Sequence, residues 1–247
     1  MKLDINRNLD IPTEENTYSA DIPQLEEKYG KEKVDEATHY LTYKDVKELP
    51  KDENSDYPTL YVFRHGETRD NADMIFCGWR DIGITDTGIN QAKELIKQLK
   101  DKKIHMLIAS DMKRAIDTME IAISENEYAK TLEIQQDKRL RERNYGDWQG
   151  YSKLIKCLED YEELHSVRRG YDKEPPHGES LKDTVDRIHG FLDEIIPLMK
   201  EEKINVAISC HGNSIRGIRQ YFEKLNNQET AEIETPLGQD YAAYAIK

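Results

Sequence analysis

The sequence is poor in three features that would assign it to other classes of protein: cysteine, long apolar runs and excess positive charge. Its three cysteines, Cys77, Cys157 and Cys210, have neither disulfide-framework nor metal-ligand spacing, so we expect a reducing, cytoplasmic setting and no metal. No run approaches the roughly 18 to 20 apolar residues of a membrane span, so no membrane partner is expected. With 36 Lys and Arg against 49 Asp and Glu, the net charge of −13 argues against nucleic acid as a partner. A small anionic substrate is still compatible, because a few clustered arginines outweigh a diffuse acidic surface at short range.

Two segments of different character divide the chain. Residues 1–58 are polar and acidic, with 15 acidic and 8 basic residues and hence a net charge of −7. Only residues 34–41 hint at a helix. We expect this N-terminal extension to pack loosely on a catalytic domain of residues 59–247, and its removal through residue 55 to leave activity largely intact.

The catalytic segment alternates short apolar runs with amphipathic stretches, which is typical of βαβ units in an α/β fold. Strands are predicted at 60–63, 104–109, 132–134, 205–209 and 241–246. Helices are predicted at 89–99, 111–124, 180–200 and 214–225, with Pro197 a potential bend or early end of the third.

Two histidines occupy equivalent local positions, each after an apolar strand and before a glycine. They are His65, in the run 61–66, and His211, in the run 207–212. Ligands of open α/β sheets bind outside the carboxyl ends of the strands, so the two side chains are expected to converge on one crevice. A single such histidine would more often be a hydrogen-bonded core residue, but the repeated context favours a site.

The residues around these histidines suit an anion. Gly66 and Gly212 allow close backbone approach, and Asn213 opens a helix whose N–H groups and positive dipole end favour phosphate. Arg64 adjoins the first histidine, and Arg114 follows the second predicted strand closely enough to reach the same edge. For Arg114 taken alone, a surface salt bridge is the better interpretation.

Two further stretches without helical or strand period indicate loops that present side chains to a site. Residues 139–150 mix arginine, aromatic and glycine residues around Glu142, a candidate acid and base for phosphoryl transfer. A solvated charge cluster is an equally good interpretation of that composition. Arg168 and Arg169 form a second basic cluster on a loop before the long helix, and solvated surface is again the alternative.

These segments resemble the histidine phosphatase superfamily, and within it the cofactor-dependent phosphoglycerate mutases, over residues 59–247. The run 64–68, Arg-His-Gly-Glu-Thr, matches the defining motif, with His65 in the place of the phosphorylated histidine and His211 as the second histidine. Further residues look like the mutase pattern: Thr68, Asn71, Cys77, Gly78, Glu142, Tyr145, Arg168, Arg169 and Asn213. Lys153 falls near a lysine that the family uses for substrate binding. The short stretch 178–184 is similar to compact mutases, which implies a monomer or weak homo-oligomer.

The resemblance implies a three-layer α/β/α sandwich with a mostly parallel sheet and a glycolytic or gluconeogenic mutase that needs no metal. His65 would carry the phosphoryl group, 2,3-bisphosphoglycerate would supply it, and Glu142 would move the proton. Arg64, Arg114 and His211 would stabilise the phosphoryl oxygens. The remaining residues of the pattern would bind substrate.

Two departures from the mutase pattern leave alternatives open. Asp70 stands where the family usually has an aromatic residue, and the sequence stops at Lys247, where many mutases continue into a tail that shields the pocket. The short tail predicts some phosphatase leakage. A phosphomonoesterase of the same superfamily is the nearest alternative, and a catalytically silent binding module is the alternative of another class.

Overall fold

The computed structural model describes residues 20–43, 46 and 48–247. The first 19 residues of the predicted extension, with residues 44, 45 and 47, lie outside this range. Within this range the chain forms five strands: β1 (Thr59–Arg64), β2 (Met106–Ala109), β3 (Ile134–Gln136), β4 (Val206–Cys210) and β5 (Tyr241–Ala245). The helices are α1 (Ile22–Tyr29), α2 (Lys31–Thr42), α3 (Arg69–Ala72), α4 (Asp86–Leu99), α5 (Lys113–Ala122), α6 (Lys153–Glu159), α7 (Tyr161–Arg169), α8 (Leu181–Glu202), α9 (Gly212–Glu223) and α10 (Asn227–Glu232).

The strands form one sheet in the order β3-β2-β4-β1-β5. The β3–β2, β2–β4 and β4–β1 pairs are parallel, and only β5 runs antiparallel to its neighbour. In the β1–β4 register, Arg64 lies opposite Cys210, so both strands end at the same level. The predicted mostly parallel sheet is confirmed, and the two histidines that follow β1 and β4 leave the sheet side by side.

Helices cover both faces of the sheet, which confirms the three-layer sandwich. Alternate residues of β1 point to opposite faces, as the strand period requires. Leu60 and Val62 pack in a core with Ile188 and Leu192 of α8 and Ile218 of α9. On the other face lies a second core, which contains Tyr61, Phe63, Leu95, Leu99 and Met119.

The described part of the extension packs tightly, so the expectation of loose packing was wrong. Its two helices bury Leu25, Val34, Ala37 and Leu41. These side chains join an apolar cluster with Phe76, Trp148, Leu154, Cys157, Leu158, Leu164 and Val167. The spacing of the buried residues at 34, 37 and 41 is that of one helix face, a pattern too short to weigh against the polar composition around it.

Two other expectations also need correction. Arg168 and Arg169 lie in the last turn of α7, not on a loop. Their helix begins after the N-cap Asp160, carries acidic residues in its first turn and is followed by Gly170, all of which favour a helix. Its apolar face is too short to predict the helix from periodicity. Pro197 neither ends nor interrupts α8, which runs on to Glu202. Across the described residues, no helix has the length and apolar character needed to span a bilayer.

Candidate active site

The carboxyl ends of β1, β2 and β4 bring His65, Ser110 and His211 together. The rings of His65 and His211 lie with centroids 5.0 Å apart and planes inclined at 58°. Both side chains are buried, with 2% and 0% of their surface exposed. The predicted convergence of the two histidines is therefore present.

The protonation of His65 is fixed by its own loop. Its Nδ1 lies 2.6 Å from the carbonyl oxygen of Gly66. A carbonyl oxygen only accepts, so Nδ1 carries the hydrogen and Nε2 carries a free lone pair. Burial, with the nearby charges of Arg114 and Arg64, holds the pKa of His65 well below its usual value, so the ring is neutral. A neutral ring with a free lone pair on Nε2 has the form that a nitrogen nucleophile requires.

His211 is also neutral, but it is oriented as a donor. Burial and the charge of Arg114 lower its pKa well below the usual value. Its Nε2 lies 2.6 Å from Oγ of Ser110, which accepts the N–H of Met112 at 3.4 Å and so can donate its own proton to the ring. Within the described part of the chain, Nδ1 of His211 is buried and has no hydrogen-bond partner. With Nε2 as acceptor, Nδ1 carries a hydrogen that is available to a bound anion.

Arg64 and Arg114 provide positive charge beside the two rings. Arg114 is fully buried, and its terminal nitrogens donate to the carbonyl oxygens of Arg80 and Gly78, each at 2.8 Å. Arg64 donates to the carbonyl oxygen of Thr235 at 3.1 Å. In the described residues, Nε of both guanidinium groups is buried without a partner. Unsatisfied buried donors of this kind are costly, and an anion that accepted from them would relieve the cost.

Glu142 faces the same site as a carboxylate. Its Oε1 accepts from the N–H of Arg143 at 2.8 Å, from the N–H of Asn213 at 3.2 Å and from Nδ2 of Asn213 at 2.8 Å. Burial alone would raise its pKa, but the charge of Arg64, these donors and Arg114 together lower it. The amide of Asn213 at the start of α9, predicted to bind phosphate, therefore donates to Glu142 in this structure.

The loop that carries Glu142 is held by hydrogen bonds from side chains of α8 and α9. Arg187 of α8 donates to the carbonyl oxygens of Arg139, Arg141 and Glu142 at 2.6, 2.7 and 2.9 Å. The hydroxyl of Ser214 donates to the carbonyls of residues 140 and 141 at 2.9 and 2.8 Å. Side chains thus bind the backbone carbonyl groups of residues 139–142 and satisfy their hydrogen bonds.

A cavity of about 430 Å³ adjoins this site through Arg64, Glu142 and Asn213, and positive side chains outnumber negative ones in its lining. Five cationic side chains line it, against the carboxylates of Glu67, Glu142 and Glu234. The cations are Arg64, Lys153, Arg168, Arg169 and Arg216. In a chain with a net charge of −13, this local excess indicates an anionic ligand.

Most of the residues assigned to substrate binding meet in this cavity. Its lining includes Asn71, Cys77, Gly78, Tyr145, Lys153, Arg168, Arg169 and Asn213. Thr68 does not line it. That side chain is fully buried and caps α3, where it exchanges hydrogen bonds with Asn71, so it orients the asparagine. Burial raises the pKa of Cys77 to about 11, so its thiol stays protonated.

The unusual residue at position 70 has a structural role. Asp70 is buried and accepts from Nε of Arg80, also buried, at 2.9 Å. The carbonyl of Arg80 in turn accepts from Arg114. The aspartate at this position thus forms a buried ion pair with Arg80, whose carbonyl group contacts Arg114 of the site.

Several cavity residues were missed in the sequence. Glu234 pairs with Arg169 at 2.6 Å and with Arg216 at 3.5 Å. Although burial opposes ionisation, these two arginines lower the pKa of Glu234 to about 2. Thr235, Leu237, Leu41 and Thr42 also line the cavity. These residues lie in segments without a recognisable motif, and only the folded chain brings them to the site.

Comparison with known proteins decides the family. The model of the histidine phosphatase superfamily, branch 1, matches residues 60–243. The chain belongs to this superfamily. Histidine phosphatases are enzymes, and His211, Arg64 and Arg114 lie near His65, the histidine of the motif. Among the described residues, no group of three or more His, Cys, Asp or Glu side chains is placed to hold a metal ion.

Curated relatives of this chain carry the name 2,3-bisphosphoglycerate-dependent phosphoglycerate mutase. One from Cytophaga hutchinsonii is 34% identical over 183 residues, 73% of this chain and 84% of the relative. One from Allorhizobium ampelinum is 39% identical over 185 residues, 73% of this chain and 86% of the relative.

Solved structures with the same fold include proteins with other names. YhfR of Bacillus stearothermophilus is 27% identical, with a TM-score of 0.67 over 75% of this chain and 90% of that one. A mycobacterial glucosyl-3-phosphoglycerate phosphatase is 23% identical, with a TM-score of 0.67 over 75% and 92% of the two chains. The second likeness shows the fold alone.

Proposed function

We propose that the protein is a 2,3-bisphosphoglycerate-dependent phosphoglycerate mutase, which interconverts 3-phosphoglycerate and 2-phosphoglycerate through phosphohistidine at His65. The observation that carries the proposal is the set of cationic side chains that line the cavity in addition to Arg64, namely Lys153, Arg168, Arg169 and Arg216. Arg64 and Arg114 lie near His65 and form the first set. A phosphomonoester without a second charged group needs one anion site, whereas a phosphoglycerate carries a carboxylate in addition to its phosphate. The mutase names of the relatives support the same choice.

The described residues fit the bisphosphate cofactor, because buried guanidinium nitrogens of Arg64, Arg114 and Arg168 have no partner within the described chain. When bound, 2,3-bisphosphoglycerate supplies the phosphoryl group that primes His65. Arg64, Arg114 and Nδ1–H of His211 stabilise the charge on the phosphoryl oxygens. Asn71, Arg168 and Arg169 bind the carboxylate and the second phosphate.

The proton path begins with Glu142 ionised, as its lowered pKa requires. Glu142 takes the proton of the substrate hydroxyl while that oxygen bonds to phosphorus and the bond from phosphorus to Nε2 of His65 breaks. In the reverse sense, Nε2 of His65 attacks the other phosphoryl group, the ester bond breaks, and Glu142 returns the proton to the leaving oxygen. Over one cycle Glu142 and His65 return to their starting forms, so no external acid or base is consumed.

A phosphomonoesterase is the second candidate, and Glu234 favours it. This carboxylate already neutralises part of the charge of Arg169 and Arg216, which weakens a second anion site. Water would then accept the phosphoryl group in place of a second hydroxyl.

Steady-state turnover separates the two functions. The enzyme is given 3-phosphoglycerate with trace 2,3-bisphosphoglycerate in excess EDTA, and 2-phosphoglycerate and free phosphate are measured together. The proposal predicts rapid, cofactor-dependent isomerisation with little phosphate release. Phosphate release without isomerisation would identify the protein as a phosphatase. Absence of both reactions would favour the catalytically silent binding module.

A further inference from the structure

We propose that the last turn of α2, in the N-terminal extension, is part of the substrate site: Tyr40 is a positioning residue for Arg168 and Arg169, and Leu41 and Thr42 form a wall of the cavity. The family model begins at residue 60, so α2 lies outside the part of the chain that the family shares. The inference rests on the proposed function, because it takes the arginine pair to bind the second anionic group of the substrate.

The position of α2 is fixed by burial. Val34, Ala37 and Leu41 lie on one face of the helix and are 2%, 6% and 6% exposed. They pack in the cluster that contains Leu154 and Leu158 of α6. A helix anchored along this face holds its last turn in a defined place against the catalytic domain.

From that turn, the side chain of Tyr40 contacts one face of α7. Its ring meets Tyr161 edge-on at 5.1 Å, and its hydroxyl lies 2.9 Å from Nδ1 of His165. The guanidinium carbon of Arg168 lies 5.9 Å from the ring centre, within range of a cation–π contact. Residues 161, 165 and 168 are four and three apart, the spacing of neighbours on a helix surface. Tyr40 therefore contacts the helix turn that presents the arginine pair.

The two arginines differ in their other contacts, which indicates where Tyr40 matters most. Arg169 is bound to Glu234 at 2.6 Å. A terminal nitrogen of Arg168 is buried and, within the described residues, has no hydrogen-bond partner. Both side chains line the cavity together with Leu41 and Thr42. The ring of Tyr40 thus restrains an arginine that still has a donor to offer to an anion.

The test compares two ligands that differ only at the second anionic group. 3-Phosphoglycerate has a carboxylate where glycerol 3-phosphate has a neutral hydroxymethyl group. Their Kd values are measured by calorimetry on the full chain in a His65→Ala background, which prevents turnover. Tyr40→Ala is expected to raise the Kd of 3-phosphoglycerate about tenfold, the scale of one well-placed contact, and that of glycerol 3-phosphate much less. Tyr40→Phe keeps the ring over Arg168 and is expected to recover most of the affinity.

Tyr43→Ala is the matched control, since Tyr43 is 65% exposed just after the same helix and its ring contacts His39. It is expected to leave both Kd values as in the background. An equal loss for the two ligands, or no loss, in a Tyr40→Ala protein that melts normally would overturn the proposal. If the Tyr40→Ala variant does not fold, the Kd values of the Tyr40→Phe variant are compared with those of the His65→Ala background. An equal loss of affinity for both ligands in Tyr40→Phe would then overturn the proposal. Failure of isomerisation in the turnover assay would reject the mutase without altering this comparison of Kd values.

Discussion

At the scale of single residues, the site consists of groups whose burial and partners select one protonation state. Gly66 fixes the tautomer of His65, and burial together with the charges of Arg114 and Arg64 lowers its pKa and keeps the ring neutral. Glu142 is kept ionised by donors and arginines despite its burial. A neutral imidazole and an ionised carboxylate are the forms that the proposed phosphoryl transfer from a nitrogen to a hydroxyl requires.

The tautomer of His65 can be observed directly. Long-range ¹⁵N–¹H correlation of the unphosphorylated enzyme is expected to show Nδ1 protonated and Nε2 free. Because the folded pKa is lowered, this form should persist as pH falls through about 6.5, where the histidines of the denatured chain gain a proton. A His65 ring that titrates together with the denatured reference would contradict the assignment.

Glu142→Gln is expected to slow transfer between phosphohistidine and 3-phosphoglycerate by roughly 10² or more, because the amide cannot take the proton. Glutamine retains an oxygen for the donors from Arg143 and Asn213, so the fold should be kept. Transfer to His65 from a nitrophenyl phosphate, whose leaving group needs no proton, should be much less affected. Glu94→Gln, on the exposed face of α4, is the control, and equal slowing with both substrates would remove Glu142 from the proton path.

At the scale of elements, the histidines at the strand ends could be predicted from the sequence, whereas several other residues that line the cavity could not. Two apolar runs, each followed by His-Gly, indicated that His65 and His211 would meet, because parallel strands end at one edge of the sheet. The pairing of Glu234 with Arg169 and Arg216, and the seating of Leu41 in the cavity, depend on contacts between distant segments without a motif. The placement of Arg168 on a helix was missed because α7 buries only Leu164 and Val167.

The contact between α8 and the loop of Glu142 gives a prediction at this scale. Arg187→Gln removes donors to the carbonyls of residues 139, 141 and 142, so we expect a loss of about 1–3 kcal/mol in the free energy of unfolding. The looser loop should lower kcat more than it raises KM. Lys182→Gln, an exposed cation on the same helix, is the control in denaturation and steady-state assays. A variant with unchanged kcat would show that the loop holds Glu142 without Arg187.

At the scale of the whole molecule, the extension and the catalytic domain share one apolar cluster beside the cavity. The chain has a net charge of −13, yet five Arg and Lys side chains line its cavity. The acidic extension thus contributes apolar contacts and lining residues of the cavity, although its composition predicted only loose packing on the rest of the chain.

Deletion of residues 1–48 tests this view of the extension. It removes Leu25, Val34 and Leu41 from their cluster, at about 1.5–3 kcal/mol for each buried side chain. Chemical denaturation should therefore show a loss of several kcal/mol, with weaker binding of 3-phosphoglycerate in any protein that folds. Deletion of residues 1–19 alone removes none of the described contacts and is the reference. If the protein without residues 1–48 were as stable and as active as that reference, the extension would be loosely packed after all.

The most direct test of the mutase proposal is the fate of the phosphoryl group on His65. The enzyme is labelled with ³²P-2,3-bisphosphoglycerate, freed of ligand, and mixed with 3-phosphoglycerate or with buffer alone. Acid-labile, base-stable label on His65, absent from His65→Ala but present in His105→Ala, should pass to phosphoglycerate much faster than it is released as phosphate. Label that leaves at the same rate with and without 3-phosphoglycerate, always as free phosphate, would contradict the proposal and identify a phosphatase.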